Sequence, residues 1–143
     1  MSTTPDLVSA EIEMRLVVDG GPSLPVRADV SYDQNDPYAA KIAFHTGAAD
    51  IVEWTFARSL LTDGVTQPAG DGDVQVWPSM SNGQPTVCLS LTSPSGRALF
   101  EAPLPDLVQF LTRTYALVPT GGESDFVDVE SELALLLWSE PEI

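Results

Sequence analysis

A nucleophilic pair could on paper be built from Cys88 and His45, the chain's single cysteine and single histidine, since a neighbouring imidazole activates a thiol. Both fall in apolar, strand-like runs, where sequence spacing places neither beside the other, and no third group stands out to orient the imidazole. A lone histidine excludes sites that need two, the usual histidine-based zinc sets among them, and there is no cysteine pair to compensate. The GxSxG elbow, the P-loop ending in GK[ST] and a GxGxxG after a strand are all absent. Serine-hydrolase and phosphate-cradling chemistry therefore lack their signatures.

The remaining chemistry-bearing clusters have plainer readings. Asp71-Gly72-Asp73 lacks the further oxygen ligands and closing glutamate of a calcium loop and reads as a turn. Asp33 to Asp36 is rich in side chains that bond their own backbone, which explains the composition without a cation. Trp54 and Trp77 have the shape to stack bases, but within apolar strands they are expected to fill the core. Cys88, inside the apolar run Val87 to Leu91, is expected to be a buried, reduced thiol. No catalytic residue, metal or cofactor is expected, and the chain reads as a protein that is not an enzyme.

Charge narrows the classes of partner. Six basic residues face twenty-one acidic ones, a net charge of −15, so nucleic acid and anionic membrane surfaces are repelled on average. From Glu123 onward there are seven acidic residues and no lysine or arginine, a composition suited to water or a basic partner. With 143 residues, 43% of them apolar, the chain suits one domain spanning 1–143 with its own core. An irregular stretch is expected over 1–8 and an acidic tail over 139–143. The N-terminal sequence has neither the basic start nor the apolar core of a signal peptide, and no apolar run approaches a membrane span; the expectation is a cytoplasmic protein.

Alternation predicts the strands. Ser9 to Val18 places Ile12, Met14, Leu16 and Val18 opposite Glu11, Glu13 and Arg15. After the turn chemistry of Asp19 to Pro22, Val26 to Tyr32 alternates again, predicting an antiparallel hairpin. Further strands are expected at Lys41 to His45, from about Ile51, and at Asp73 to Trp77, Thr86 to Leu91 and Arg97 to Ala102, with turns at Pro78 to Pro85 and Ser93 to Gly96. An antiparallel meander is the economical topology. Thr55 is the expected N-cap of a short helix carrying Phe56, Leu60 and Leu61 and closing at Asp63-Gly64.

Pro103 and Pro105 suit a helix start, and Leu104, Leu107, Val108, Leu111 and Tyr115 follow at helical spacing. A second C-terminal helix is expected over Asp128 to Trp138. Val129, Leu133, Leu136 and Leu137 share one face there, with Ala134, Leu135 and Trp138 elsewhere around it. A helix apolar on nearly all sides needs cover from more than its own sheet, which makes Leu133, Leu135, Leu136 and Trp138 candidates for an oligomer or partner interface.

Several blocks, in order, carry a resemblance: Leu16-Val17-Val18, Ser23-Leu24-Pro25, Asp36 to Ala39 (DPYA), FHTG from Phe44, VEWTFARSLL from Val52, GDVQVWP from Gly72, Ser95-Gly96 and Glu101-Ala102-Pro103. In these the chain resembles the SsgA-like proteins of sporulation-specific cell division, and within them the SsgB-like branch. The resemblance implies an α+β fold: a curved antiparallel β-sheet of about seven to eight strands, similar to Whirly-type single-stranded nucleic-acid binders, with a short helix and two C-terminal helices. It implies homotrimers, and a non-catalytic role in placing the tubulin-like GTPase FtsZ at septum sites with an SsgA-like paralogue. Single-stranded nucleic-acid binding is the alternative that the implied fold and the tryptophans raise.

Overall fold

The structure is a computed structural model and describes residues 7–18, 21–47 and 49–123. Seven strands and two helices follow one another: β1 (Leu7–Leu16), β2 (Leu24–Asp33), β3 (Ala39–His45), β4 (Ile51–Ala57), α1 (Arg58–Gly64), β5 (Val74–Ser81), β6 (Gln84–Ser93), β7 (Gly96–Pro103) and α2 (Leu104–Leu117). The second C-terminal helix expected over Asp128 to Trp138, and with it Leu133, Leu135, Leu136 and Trp138, lies outside the described residues.

Alternation sets the inner face. Val8, Ile12 and Met14 of β1, Val26, Ala28, Val30 and Tyr32 of β2, and Ala40, Ile42 and Phe44 of β3 are buried, while Glu11, Glu13, Arg15, Arg27, Asp29 and Lys41 point outward and are exposed. Each large apolar side chain removed from water here contributes roughly 2 kcal/mol. β1 and β2 pair antiparallel from Leu7↔Asp33 to Leu16↔Leu24, the predicted hairpin. β1 begins at Leu7, inside the stretch expected to be irregular, and ends at Leu16, so Val18 lies beyond it and is exposed. α2 covers the inner face through Leu107, Phe110, Leu111 and Thr114, and Phe44 stacks on Phe100 with ring centroids 4.1 Å apart.

All pairings are antiparallel, in the order β4-β3-β2-β1-β7-β6-β5. The expected single meander is thus two, β1 to β4 and β5 to β7, joined along a short antiparallel ladder at Arg15↔Glu101 and Leu16↔Phe100, with the Val17 N–H bonded to the Leu99 carbonyl at 2.8 Å. β4 and β5, consecutive in sequence, are opposite edges. In a flat sheet of this width they would lie roughly 29 Å apart. Yet α1, about 10 Å long, touches both β4 and β5, and the side chain of Val76 closes the space above Gly64. The sheet therefore curves until its edges approach one helix.

Two local expectations are corrected. Thr55 is not a helix cap: it lies in β4 opposite Lys41, the N-cap is Ala57 without a side-chain bond, and Phe56 belongs to the strand. The first helical N–H, that of Arg58, is satisfied instead by the Tyr38 carbonyl at 2.8 Å. The turn expected over Pro78 to Pro85 shrinks to Asn82-Gly83. Both residues have positive φ, 53° and 77°, as a two-residue type I′ hairpin requires. Pro78 is tolerated in β5 because that strand is an edge.

Candidate functional site

The chain's most constrained polar group is one that spacing did not single out. Arg58, the first residue of α1, is 1% exposed. Its guanidinium Nη1 donates to the carbonyls of Thr114 at 3.1 Å and Val118 at 2.8 Å, and Nη2 bonds the Glu123 carboxylate at 2.8 Å. A cation suits this place because α2 ends there with unsatisfied carbonyls and the negative end of its dipole. The ring of Tyr115 lies 3.8 Å and that of Tyr32 4.6 Å from the guanidinium carbon, distances at which both π faces attract it.

The surroundings complete the cluster. Tyr32 donates its hydroxyl to the Pro37 carbonyl at 2.8 Å, and burial pushes its pKa up to about 12. The Tyr115 and Thr62 hydroxyls lie 2.6 Å apart. Glu123 is held below the usual carboxylate range by its own backbone N–H and by Arg58, with the Gly121 N–H also bonded to it at 2.9 Å. Every member is bonded, so this is a structural lock between β2, α1 and the end of α2. A sequence signal existed: arginine within an otherwise apolar strand-to-helix run, FARSLL, is costly unless it is fully paired.

The residues considered for nucleophilic chemistry are kept apart. His45 lies in β3 with its Nε2 2.7 Å from the Asp29 carboxylate and its Nδ1 3.1 Å from Arg27. Cys88 is buried in β6, four strands away in the sheet order, roughly 19 Å along the sheet. Burial, then the nearby Glu101, raise the Cys88 pKa, which keeps it a thiol. Among the described residues no group of three or more His, Cys, Asp or Glu could hold a metal ion. Asp71 to Asp73 lies in the turn of a small hairpin closed by the Ala69 and Val76 backbone bonds at 2.8 and 2.9 Å. The tryptophans divide: Trp54 packs on the core cluster, whereas Trp77 is half-buried outside it.

What the fold leaves open is surface. β4 is an edge with Ile51 58% and Val52 45% exposed. Beside it an apolar groove runs between Val52 and Trp54 of β4, Leu16 of β1, and Leu91, Ala98 and Phe100 of the β6–β7 hairpin. The outer face of β1 to β3 differs in kind, a polar ladder in which Arg27 lies between Glu11 at 3.6 Å and His45, and His45 reaches Asp29. No helix among the described residues is long and apolar enough to cross a membrane.

A family described as Streptomyces sporulation and cell division protein, SsgA, matches residues 26–123. The chain belongs to the SsgA family. Within it, relatives named SsgB match nearly the whole chain. The sporulation-specific cell division protein SsgB of Frankia casuarinae is 58% identical over 99% of both chains, and that of Streptomyces coelicolor 53% identical over 96% of this chain and 98% of the relative. A solved structure from work on SsgB mutations and longitudinal cell division in Streptomyces coelicolor superposes with a TM-score of 0.82 at 54% identity, covering 84% of this chain and 94% of that one. The Thermobifida fusca SsgA-like protein gives 0.83 at 42% identity, covering 94% and 98%. The role is in sporulation-specific cell division, and the chain falls with the SsgB branch. Two of the blocks that carried the SsgA resemblance reach this lock: DPYA supplies the Pro37 and Tyr38 carbonyls, and VEWTFARSLL supplies Arg58 itself.

Proposed function

We propose that this protein is a non-catalytic, cytoplasmic adaptor of sporulation septation. It assembles with itself as a homotrimer, uses an SsgA-like paralogue, and positions the division GTPase FtsZ at septum sites. The observation that carries this reading is the contrast between interior and surface. The buried polar side chains are almost all spent on internal bonds, while apolar side chains stand open along the β4 edge. An open strand edge with apolar flanks is a template for pairing with another chain. Leu133, Leu135, Leu136 and Trp138 are proposed to extend that contact surface.

Single-stranded nucleic-acid binding fits the surface less well. Arg27 on the outer face already faces the Glu11 carboxylate at 3.6 Å, and the net charge of −15 opposes a phosphate backbone. The adaptor reading is tested by affinity capture of the tagged native protein from sporulating cells with mass spectrometry. Enrichment of FtsZ or an SsgA-like partner supports it; enrichment of nucleoid proteins alone, lost on nuclease treatment, overturns it.

A further inference from the structure

The joint between the two meanders opens a second, chemically distinct groove. β1 and β7 are partnered at Leu16↔Phe100 and Arg15↔Glu101 and then no further. Continued pairing would set Glu13 against Pro103, which ends β7 and has no N–H to donate; the ladder stops there, and the gap is lined by Glu13, Arg15, Gln84, Thr86, Glu101 and Pro103 together with Pro85 and Pro105. Two features of this groove are left unsatisfied by the chain itself. The first is charge. Glu13 and Glu101 occupy diagonal positions on neighbouring strands, where side chains still reach one another, and neither forms an ion pair among the described residues. Arg15, directly opposite Glu101, turns its Nε to the Ser23 hydroxyl at 2.6 Å. The second is the Thr86 hydroxyl, which is the buried side-chain oxygen without a hydrogen-bond partner among the described residues, on a residue 9% exposed.

We propose that this groove is a docking site for an extended, basic peptide segment of a partner protein, with an arginine or lysine seated between Glu13 and Glu101 and a main-chain or side-chain group reaching Thr86. A cation placed there meets two carboxylates that have no ion-pair partner among the described residues, and charge-assisted bonds to carboxylates are the strong kind. The gap where the ladder stops admits a chain in extended form, and the prolines offer apolar walls that cost no backbone donor. On a molecule of charge −15, a basic segment is also steered toward the surface over distance. The proposal rests on the adaptor reading for its biological meaning, but its chemistry is tested separately.

The probe is a capped peptide of leucine, arginine, leucine and proline, titrated into isotope-labelled protein at low salt and followed by amide NMR shifts. A control peptide carries glutamate in place of arginine. Shifts confined to residues near Glu13, Gln84, Thr86 and Glu101, seen with the arginine peptide and not the glutamate one, support the site. The double variant Glu13→Gln with Glu101→Gln, isosteric at an exposed and a half-buried position, should weaken binding about tenfold, the factor equivalent to about 1.4 kcal/mol. Thr86→Val should weaken it while leaving the fold intact, as judged by unchanged shifts elsewhere. Absence of shifts at these residues, equal response to the glutamate peptide, or unchanged affinity in the double variant overturns the groove. Capture of FtsZ by that double variant at wild-type level would overturn only its link to the adaptor role.

Discussion

Arg58 is the residue on which the interior turns. Removing it takes the cation from the partly exposed Glu123 carboxylate and the bond from the Val118 carbonyl, while the Thr114 carbonyl keeps the Val118 N–H and Glu123 the Gly121 N–H, so Arg58→Ala should destabilise by about 1–3 kcal/mol, the cost of a buried polar group left without its partner; chemical denaturation measures it. Acid reads the same contact. Because the folded pKa of Glu123 is depressed, its contribution is present above the unfolded pKa and is lost as pH falls through the folded one. Glu123→Gln should therefore flatten the acid limb of a stability-versus-pH curve. Tyr32 acts with the opposite sign: its pKa, pushed up to about 12, makes its contribution full below about pH 10 and lost between there and pH 12, so Tyr32→Phe should flatten the alkaline limb. Thr86 tests the groove from the side of stability. A buried, unpartnered hydroxyl costs roughly 1–3 kcal/mol, so Thr86→Val should raise the melting temperature of the free protein.

At the scale of elements, the short α1 closes a curved sheet, and its fit against β5 is tight at Gly64, where an added Cβ would run into Val76. Val76 is fully buried, so the neighbour has no room to yield. Gly64→Ala should lower stability by about 1–3 kcal/mol, the usual cost of overpacking, measured by thermal unfolding. The strands were legible wherever one face is buried and the other wet, as in β1 and β2, because period-two alternation records that directly. Thr55 misled because hydroxyl chemistry suits a cap, and strand pairing with β3 outweighed it. The Asn82-Gly83 hairpin carried the strongest short turn signal in the chain, masked by the prolines on either side. The joining of β1 to β7, and the burial of Arg58 against residues more than fifty positions away, are long-range facts that no local pattern encodes.

The whole molecule combines a strongly acidic surface with apolar side chains left open at the β4 edge, a pairing that suits assembly with defined partners over indiscriminate association. Replacing Leu135 and Trp138 with glutamate should lower the sedimenting mass of the protein or weaken partner capture; a variant unchanged in both would remove those residues from the interface. The central claim, that this SsgA-family chain acts by holding the division GTPase, is met most directly by co-sedimentation of the purified protein with purified FtsZ polymerised by GTP. The account predicts that the protein pellets with the polymers in a saturable manner and stays in solution when FtsZ is left unpolymerised. Protein that remains in the supernatant at every FtsZ concentration, with and without an SsgA-like paralogue, would contradict it.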